Sequence, residues 1–191
     1  MKLLGISGTN GAGKDSVAEV LRDKYGWCFI SGSDILREEA KKRGLAVERE
    51  NLRMISAEWR RESGLGVIIK RAIETYKELG GDEKYSGLVV SSLRNPGEND
   101  TVHELGGDVV WIDAEPKTRY ERIFNRQRTS EDSKTYEQFL NEEQAEMQHS
   151  GDEATLSLSG VKDKSDKIII NNGSSINDLE QVMIDSIGDL I

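Results

Sequence analysis

Short apolar runs alternate along the chain with longer segments in which apolar residues recur at helical spacing. The short runs are continuous, as in Ile168-Ile169-Ile170, and such runs are typical of parallel strands that are covered on both faces. Strands that alternate with helices predict an α/β fold with a parallel sheet and right-handed crossovers. The predicted strands span residues 3–7, 27–30, 88–91, 109–113 and 167–171.

Helical patterns fill the segments between these strands. Gly44 ends a predicted helix over residues 33–43, and Gly80-Gly81 ends another whose apolar positions run from Ile69 to Leu79. Further helices are predicted around Leu52, Ile55 and Trp59, from Pro116, from Tyr136 to Met147, and from the capping box Ser175-Ile176-Asn177-Asp178.

Two connections are too long to be simple crossovers. Residues 33–85 are predicted to contain an inserted helical lobe, and residues 127–151 form a charge-rich excursion that we interpret as a lid. Both excursions would lie where parallel strands end, which is the edge at which ligands bind in open α/β sheets. The length of 191 residues predicts that the lobe and lid belong to a single domain, 1–191.

The most specific motif is a glycine-rich loop that follows the first strand and opens the first helix. Its sequence, Gly8-Thr9-Asn10-Gly11-Ala12-Gly13-Lys14-Asp15, contains the phosphate-binding pattern G-x-x-x-x-G-K. Glycines let backbone N–H groups turn inward around an anion, and the helix N-terminus adds partial positive charge. Lys14 is predicted to reach the outer phosphates of ATP. The alternative is a glycine-rich turn that binds nothing.

Asp15 departs from this pattern, which ends in a serine or threonine whose hydroxyl ligates Mg²⁺. A carboxylate is also a good ligand for this cation, so Asp15 and Ser16 are the predicted metal ligands. The alternative is that Asp15 only places negative charge at the positive end of the helix.

Composition narrows the class of protein. The formal net charge of −9 argues against a broad nucleic-acid surface. No apolar stretch approaches the roughly 18 residues of a membrane-spanning helix. The single cysteine, Cys28, cannot form an internal disulfide and lies in an apolar segment that predicts burial. We therefore expect a cytoplasmic protein that binds neither nucleic acid nor membranes, and we expect a monomer.

Charged side chains follow the second and third predicted strands. Asp34 and Arg37 are three residues apart and would share a helix face, whereas Arg94 lies just beyond the third strand. Arg37 and Arg94 could hold an acceptor phosphate, because a charge-assisted hydrogen bond contributes about 1.5–3 kcal/mol. Asp34 would then lie near the transfer site. The alternatives are a helix-capping acid and arginines that face solvent.

The helix predicted from Pro116 has a basic face and an apolar face. Arg126 abuts the predicted lid, so it is the arginine that we expect to stabilise charge on a transferring phosphoryl group. A solvated basic face is the alternative. The basic face comprises Arg119, Arg122 and Arg126, and the face predicted to pack on the core comprises Tyr120, Ile123 and Phe124.

Together these motifs resemble the nucleoside monophosphate kinase group of P-loop proteins. Ser33-Asp34-Ile35-Leu36-Arg37 is similar to the adenylate kinase segment Gly-Asp-Met-Leu-Arg. Ser92-Leu93-Arg94 stands where that family has Asp-Gly-Phe-Pro-Arg, and residues 121–126 resemble its arginine pair at the lid entrance. Residues 33–45 also resemble archaeal-type proteins related to dephospho-CoA kinase, which carry Gly-Asp-x-x-Arg-x-Glu-x-Lys-x-Arg-Gly-Leu.

The resemblance implies a three-layer P-loop fold with a five-stranded sheet in the order 2-3-1-4-5. It also implies ATP as donor, Mg²⁺, and an acceptor held by Arg37 and Arg94. Ser91-Ser92 replaces the Asp-Gly whose acid helps to organise the metal in adenylate kinases. Asp15 would compensate for that missing acid.

We therefore predict transfer of the γ-phosphoryl group of ATP to a small nucleotide or nucleotide-like acceptor, such as a nucleoside monophosphate or dephospho-CoA. Lys14, Arg126 and Asp34 are the predicted catalytic residues. The open alternatives are a nucleotide-dependent switch, a weak ATPase, and a sensor that binds ATP without turnover. The predicted ATP contacts are Asn10, Gly11, Ala12, Gly13, Lys14, Asp15, Ser16, Arg122 and Asn172, the last because the loop after the final strand could line the adenine.

Overall fold

Parallel strands form the central sheet of the molecule. A computed structural model describes residues 1–126, 135–147 and 151–191, with the backbone alone described at Arg126. The strands in these ranges are β1 (Leu3–Gly8), β2 (Cys28–Ser31), β3 (Leu88–Ser91), β4 (Asp108–Asp113) and β5 (Lys167–Ile170). Their order in the sheet is β2-β3-β1-β4-β5, and every neighbouring pair is parallel. The predicted strand order is confirmed.

Helices cover both faces of this sheet, so the predicted three-layer α/β architecture is also confirmed. Among the described residues, no helix combines the length and apolar character needed to cross a bilayer. The helices are α1 (Lys14–Tyr25), α2 (Gly32–Lys42), α3 (Arg49–Ser63), α4 (Val67–Glu78), α5 (Pro96–Glu104), α6 (Pro116–Arg126), α7 (Tyr136–Met147), α8 (Leu158–Asp163) and α9 (Ile176–Ile187), with a 3₁₀ turn at Gly81–Glu83.

Alternate side chains of the strands point into two cores. Leu4 and Ile6 pack with α1 and α9 on one face, whereas Leu3 packs with α4, α5 and α8 on the other. Cys28 is buried, as predicted. Each large apolar side chain that is fully buried contributes about 1.5–3 kcal/mol relative to exposure. These cores hold the carboxyl ends of the strands in one row.

A smaller core joins the helices between β2 and β3. Ile55 and Trp59 of α3 pack there against Ala40 of α2 and against Val67 and Ile68 of α4. The helical content predicted for residues 33–85 is therefore present, with its own buried apolar cluster.

Two helices were absent from the sequence prediction. Helix α5 begins with a capping box in which the Asn95 side chain accepts from the backbone N–H of Gly97 and Glu98 bonds back to the backbone N–H of Asn95. Pro96 fixes the first turn. The capping box and Pro96 could have been recognised in the sequence. The helix that follows them is only weakly amphipathic, so it shows no clear helical period. Helix α8 is too short to show a period.

Helix α6 corrects the predicted assignment of its faces. Ile123 is buried as expected, but Phe124 is 46% exposed and Arg119 is only 2% exposed. Arg119 is tolerated in the interior because its Nε donates to the carbonyl of Ala114 at 2.7 Å and its Nη2 to Glu143 of α7 at 2.8 Å. Packing of α6 against α7 therefore buries Arg119 together with its partners, whereas the Phe124 ring stays exposed.

A buried ion pair ties the helices between β2 and β3 to the sheet. Arg60 of α3 and Glu98 of α5 are 2.8 Å apart, and their side chains are 2% and 1% exposed. Arg60 also donates to the Ser56 hydroxyl and to the carbonyl of Ala154. The second Glu98 oxygen accepts the backbone N–H of Arg94 at 2.7 Å. Glu98 therefore fixes both α3 and the chain just after β3.

Glu98→Ala should lower the free energy of unfolding by about 3–5 kcal/mol, because it leaves the Arg60 guanidinium buried without its partner. Urea denaturation measures the change. Glu104→Ala, an exposed position on the same helix, is the matched control and should stay within about 0.5 kcal/mol. A loss below about 1 kcal/mol in Glu98→Ala would contradict the structural role of the pair.

Candidate active site

The carboxyl ends of the strands open into a cleft of about 1000 Å³. The glycine-rich loop lies on one side of it, helices α2 and α3 lie on another, and α7 closes part of the mouth through Glu146. Most of the predicted site residues line this cleft, namely Asn10, Gly11, Gly13, Lys14, Asp15, Ser16, Asp34, Arg37, Arg94 and Arg122.

Three predicted residues lie elsewhere or outside the description. Ala12 is fully buried, so only its backbone can take part in a site. The Asn172 side chain accepts the backbone N–H of Glu115 at 2.8 Å, which anchors the start of α6. The side chain of Arg126 lies outside the described residues, as do residues 127–134 and 148–150 of the predicted lid.

The glycine-rich loop has the backbone that its sequence predicts. Gly11 and Gly13 have φ of 79° and 94°, in the left-handed region that favours glycine. A Cβ at Gly11 would lie 2.6 Å from the backbone carbonyl of Arg119, so the loop also packs too closely on α6 to accept a side chain. The loop thus leads into the N-terminus of α1 in a conformation suited to an anion.

Lys14 folds back on the loop. Its Nζ donates to the carbonyls of Gly8 and Thr9 at 3.0 and 2.7 Å. Burial, followed by the positive charge of Arg94, lowers the pKa of Lys14 to about 7, although Asp15 acts in the opposite direction. The Lys14 Nζ therefore lies against the loop, with two backbone carbonyl oxygens as its hydrogen-bond acceptors.

Asp15 is adjacent to the end of β3. The Ser91 hydroxyl donates to its Oδ1 at 3.1 Å. In the kinase group that the sequence resembles, the loop supplies the hydroxyl and the strand supplies the acid. Here the two groups are exchanged between the same two elements. The exchange keeps one carboxylate and one hydroxyl side by side at the mouth of the loop.

The chain just after β3 has an unusual backbone conformation and brings Arg94 to the cleft. Ser92 has φ of 71°, and within the described part of the chain it is the one residue other than glycine with a positive φ. The Ser7 hydroxyl donates to the carbonyl of Leu93 at 2.6 Å, which ties this segment to β1. Backbone strain of this kind persists only where the surroundings enforce it, and it is concentrated at functional sites.

Three arginines converge on Glu146 of α7. Its carboxylate contacts Arg94 at 3.5 Å, Arg49 at 3.2 Å and Arg53 at 2.9 Å. Burial favours the neutral acid, but the three arginines outweigh it and the pKa of Glu146 is lowered. Sequence reasoning found Arg94 and missed the other three. The available signal was the spacing of Arg49 and Arg53, which puts both on one face of α3.

Asp34 and Arg37 form an ion pair of 2.5 Å on the first turn of α2. Their side chains are 67% and 47% exposed, so the predicted shared helix face is present at the rim of the cleft. The structure therefore presents both groups to the cleft and to solvent.

Arg122 lies where the loop meets the chain after β5. Its guanidinium donates to the carbonyl of Asn171 at 3.0 Å and to that of Gly173 at 2.6 Å. The Asn171 side chain donates in turn to the carbonyl of Ala12 at 2.9 Å. Burial lowers the pKa of Arg122. Arg122 thus links the loop to the segment predicted to line the adenine.

The described residues contain no cluster of three or more His, Cys, Asp or Glu side chains able to hold a metal ion by themselves. Mg²⁺ commonly takes one or two protein ligands and the rest from phosphates and water. Asp15 and Ser16, which both line the cleft beside the loop, are suited to that role.

Comparison with known proteins agrees with this architecture. A protein-family model described as AAA domain matches residues 7–140. A UPF0200 protein of Pyrococcus horikoshii is 34% identical over 172 residues, covering 87% of this chain and 86% of the relative. A UPF0200 protein of Pyrobaculum aerophilum is 30% identical over 183 residues, covering 95% and 94%.

Solved structures with the same fold include two shikimate kinases. The enzyme from Acinetobacter baumannii in complex with shikimate has a TM-score of 0.54 at 15% identity, covering 96% of this chain and 91% of that one. The enzyme from Bacteroides thetaiotaomicron has a TM-score of 0.56 at 12% identity, covering 95% and 96%. The fold is therefore that of the P-loop kinases.

The match over residues 7–140 defines the chain as a P-loop protein of the AAA domain family. More narrowly, the chain belongs to the UPF0200 family.

Proposed function

We propose that this protein is an ATP-dependent phosphotransferase that moves the γ-phosphoryl group to a small nucleotide or nucleotide-like acceptor. One observation carries the proposal: a single cleft has a phosphate-binding loop with Lys14 on one side and the guanidinium of Arg94 on another. A donor phosphate and an anionic acceptor could meet there. The kinase-like fold supports the same reaction class.

Each polar group of the cleft has a role in this proposal. Lys14 would exchange its carbonyl partners for oxygens of the outer phosphates. Arg126 would stabilise charge on the transferring group, and Arg37 and Arg94 would bind the acceptor. Asp34 would accept a proton from a hydroxyl acceptor, or only position an acceptor phosphate that is already ionised.

Mg²⁺, when bound with ATP, would supply positive charge at the transferring phosphoryl group. Asp15 and Ser16 would hold it, with the Ser91 hydroxyl orienting the Asp15 carboxylate. Residues 33–85 would form the acceptor lobe and residues 127–151 the lid, which together would exclude water from the reaction. We further propose that the protein acts in the cytoplasm as a monomer.

The first test offers purified protein ATP and Mg²⁺ with a panel of nucleoside monophosphates and dephospho-CoA, with products read by mass spectrometry. ADP should appear in proportion to one acceptor, with matching phosphorylated product. Lys14→Ala should lower turnover by about 10²–10³-fold, the loss typical when one preorganised transition-state donor is removed. ADP released at the same rate with and without every acceptor would instead indicate an ATPase or a switch.

The second test concerns the proton on Lys14. The pKa of free Lys14 is about 7, so at pH 8 it is mostly neutral, and a bound triphosphate would favour the charged form. ATP binding at pH 8 should therefore take up about one proton, measured by calorimetry in buffers of different ionisation enthalpy.

The sign of this effect is fixed by the direction of the shift. The contribution of Lys14 to ATP affinity is fully present below pH 7 and declines as pH rises, by about tenfold per unit, until the pKa of the bound state is passed. Lys14→Ala should bind ATP without that uptake. A binding enthalpy that does not depend on the buffer in the unmodified protein would contradict the assignment.

The third test separates the two roles open to Asp15. In Asp15→Asn, Mg²⁺-ATP should bind about tenfold more weakly, whereas ATP in the presence of a chelator should bind as well or better, because a negative charge beside the phosphates is gone. Calorimetry without turnover measures both.

Asp23→Asn, at the far end of the same helix, is the control and should change neither value. If Asp15 served only the helix N-terminus, Asp15→Asn would strengthen ATP binding with and without the metal. That result would remove Asp15 from the metal site.

A further inference from the structure

Glu146 joins three separate parts of the cleft through ion pairs. It lies on α7, two of its partners lie on α3, and the third follows β3. The Glu146 side chain is 13% exposed, whereas those of Arg49, Arg53 and Arg94 are 42%, 49% and 31% exposed. The carboxylate is thus enclosed by guanidinium groups that still reach the solvent of the cleft.

Helix α7 is also attached to α6, through the helical turn that precedes Glu146. Glu143, three residues before Glu146, pairs with the buried Arg119 of α6. The two carboxylates therefore pair with arginines from different elements. Glu143 meets an arginine that is 2% exposed and enclosed by protein, while Glu146 meets arginines that line the cleft. The first contact is structural, and the second lies where a ligand would bind.

We infer that Arg49, Arg53 and Arg94 form the anion subsite for the acceptor, and that Glu146 occupies this subsite as an internal counter-ion until an acceptor phosphate or carboxylate displaces it. The inference rests on the proposed function and adds Arg49, Arg53 and Glu146 to it.

The chemistry of the cluster supports displacement. Guanidinium groups bind carboxylate and phosphate oxygens through the same N–H donors, so an incoming anion competes for the same hydrogen bonds. A phosphate offers more oxygens and more charge than one carboxylate, which favours it where three arginines face one point. Without either anion, three guanidinium groups would face one another, and their mutual repulsion would disorder the subsite. Glu146 therefore keeps the arginines assembled but lowers the apparent affinity for a ligand.

The test uses inorganic phosphate and the full-length protein without nucleotide, measured by calorimetry. Glu146→Gln keeps the shape of the side chain and removes its charge, so phosphate should bind about tenfold more tightly than to the unmodified protein. Glu137→Gln, an exposed position in the first turn of the same helix, should leave the affinity unchanged.

Phosphate could also bind the glycine-rich loop. A double variant therefore shows which of the two sites gives the calorimetric signal. Adding Arg53→Gln to Glu146→Gln should remove most of the gain, whereas a signal from the loop would keep it. If the role of Glu146 were only to stabilise the fold, Glu146→Gln would lower the melting temperature and leave the phosphate affinity unchanged. That result would contradict the inference.

Arg53→Gln alone covers the case in which Glu146→Gln does not fold. This variant should bind phosphate several-fold more weakly than the unmodified protein, and equal binding would overturn the subsite. The outcome is independent of turnover. Tighter phosphate binding in Glu146→Gln without acceptor-dependent ADP release would support the anion subsite and contradict the transferase activity. Acceptor-dependent ADP release with unchanged phosphate binding would contradict the subsite alone.

Discussion

Positively charged side chains cluster at the carboxyl edge of the sheet, and the fold must hold them there when no ligand is bound. Lys14, Arg94 and Arg122 all reach this edge, where partial burial makes an unpaired charge costly. The protein meets this constraint with acceptors of its own: loop carbonyls for Lys14, Glu146 for Arg94, and the carbonyls after β5 for Arg122. The rest of the site depends on these internal partners, because they preserve the positions of the cations.

Internal partners differ in how easily a ligand could replace them. Glu98 is 1% exposed and pairs with Arg60, which is 2% exposed, so this pair has little access to solvent. Glu146 holds its arginines at the cleft, and Lys14 is held by two neutral carbonyls rather than by a carboxylate. Burial and the positive charge of Arg94 lower the pKa of Lys14 to about 7, whereas the arginines at Glu146 have a charged partner. In the proposed function, the groups that would bind a ligand are those whose internal partners also lie at the cleft.

Local patterns in the sequence predicted the sheet and the loop, and they failed where distant residues pair. Continuous apolar runs identify buried strands, and the loop glycines are required by left-handed backbone at Gly11 and Gly13. The partners of Glu146 lie more than 50 residues away along the chain, as the pairing with Arg94 shows, and no period reveals them. The predicted faces of α6 were wrong for a related reason, because the buried Arg119 has a partner, Glu143, that α7 supplies from a distant part of the sequence.

The exchange of acid and hydroxyl between the loop and β3 changes how metal and nucleotide would be coupled. A serine or threonine on the loop is neutral, so such a loop attracts phosphates whether or not a metal is present. With Asp15 at the start of α1, the carboxylate would repel phosphates until a cation intervenes. The Ser91 hydroxyl donates to this carboxylate at 3.1 Å, which would leave its other lone pairs for a metal in the proposed function. The loop would therefore select the metal complex of ATP over free ATP more strongly than a hydroxyl-bearing loop does.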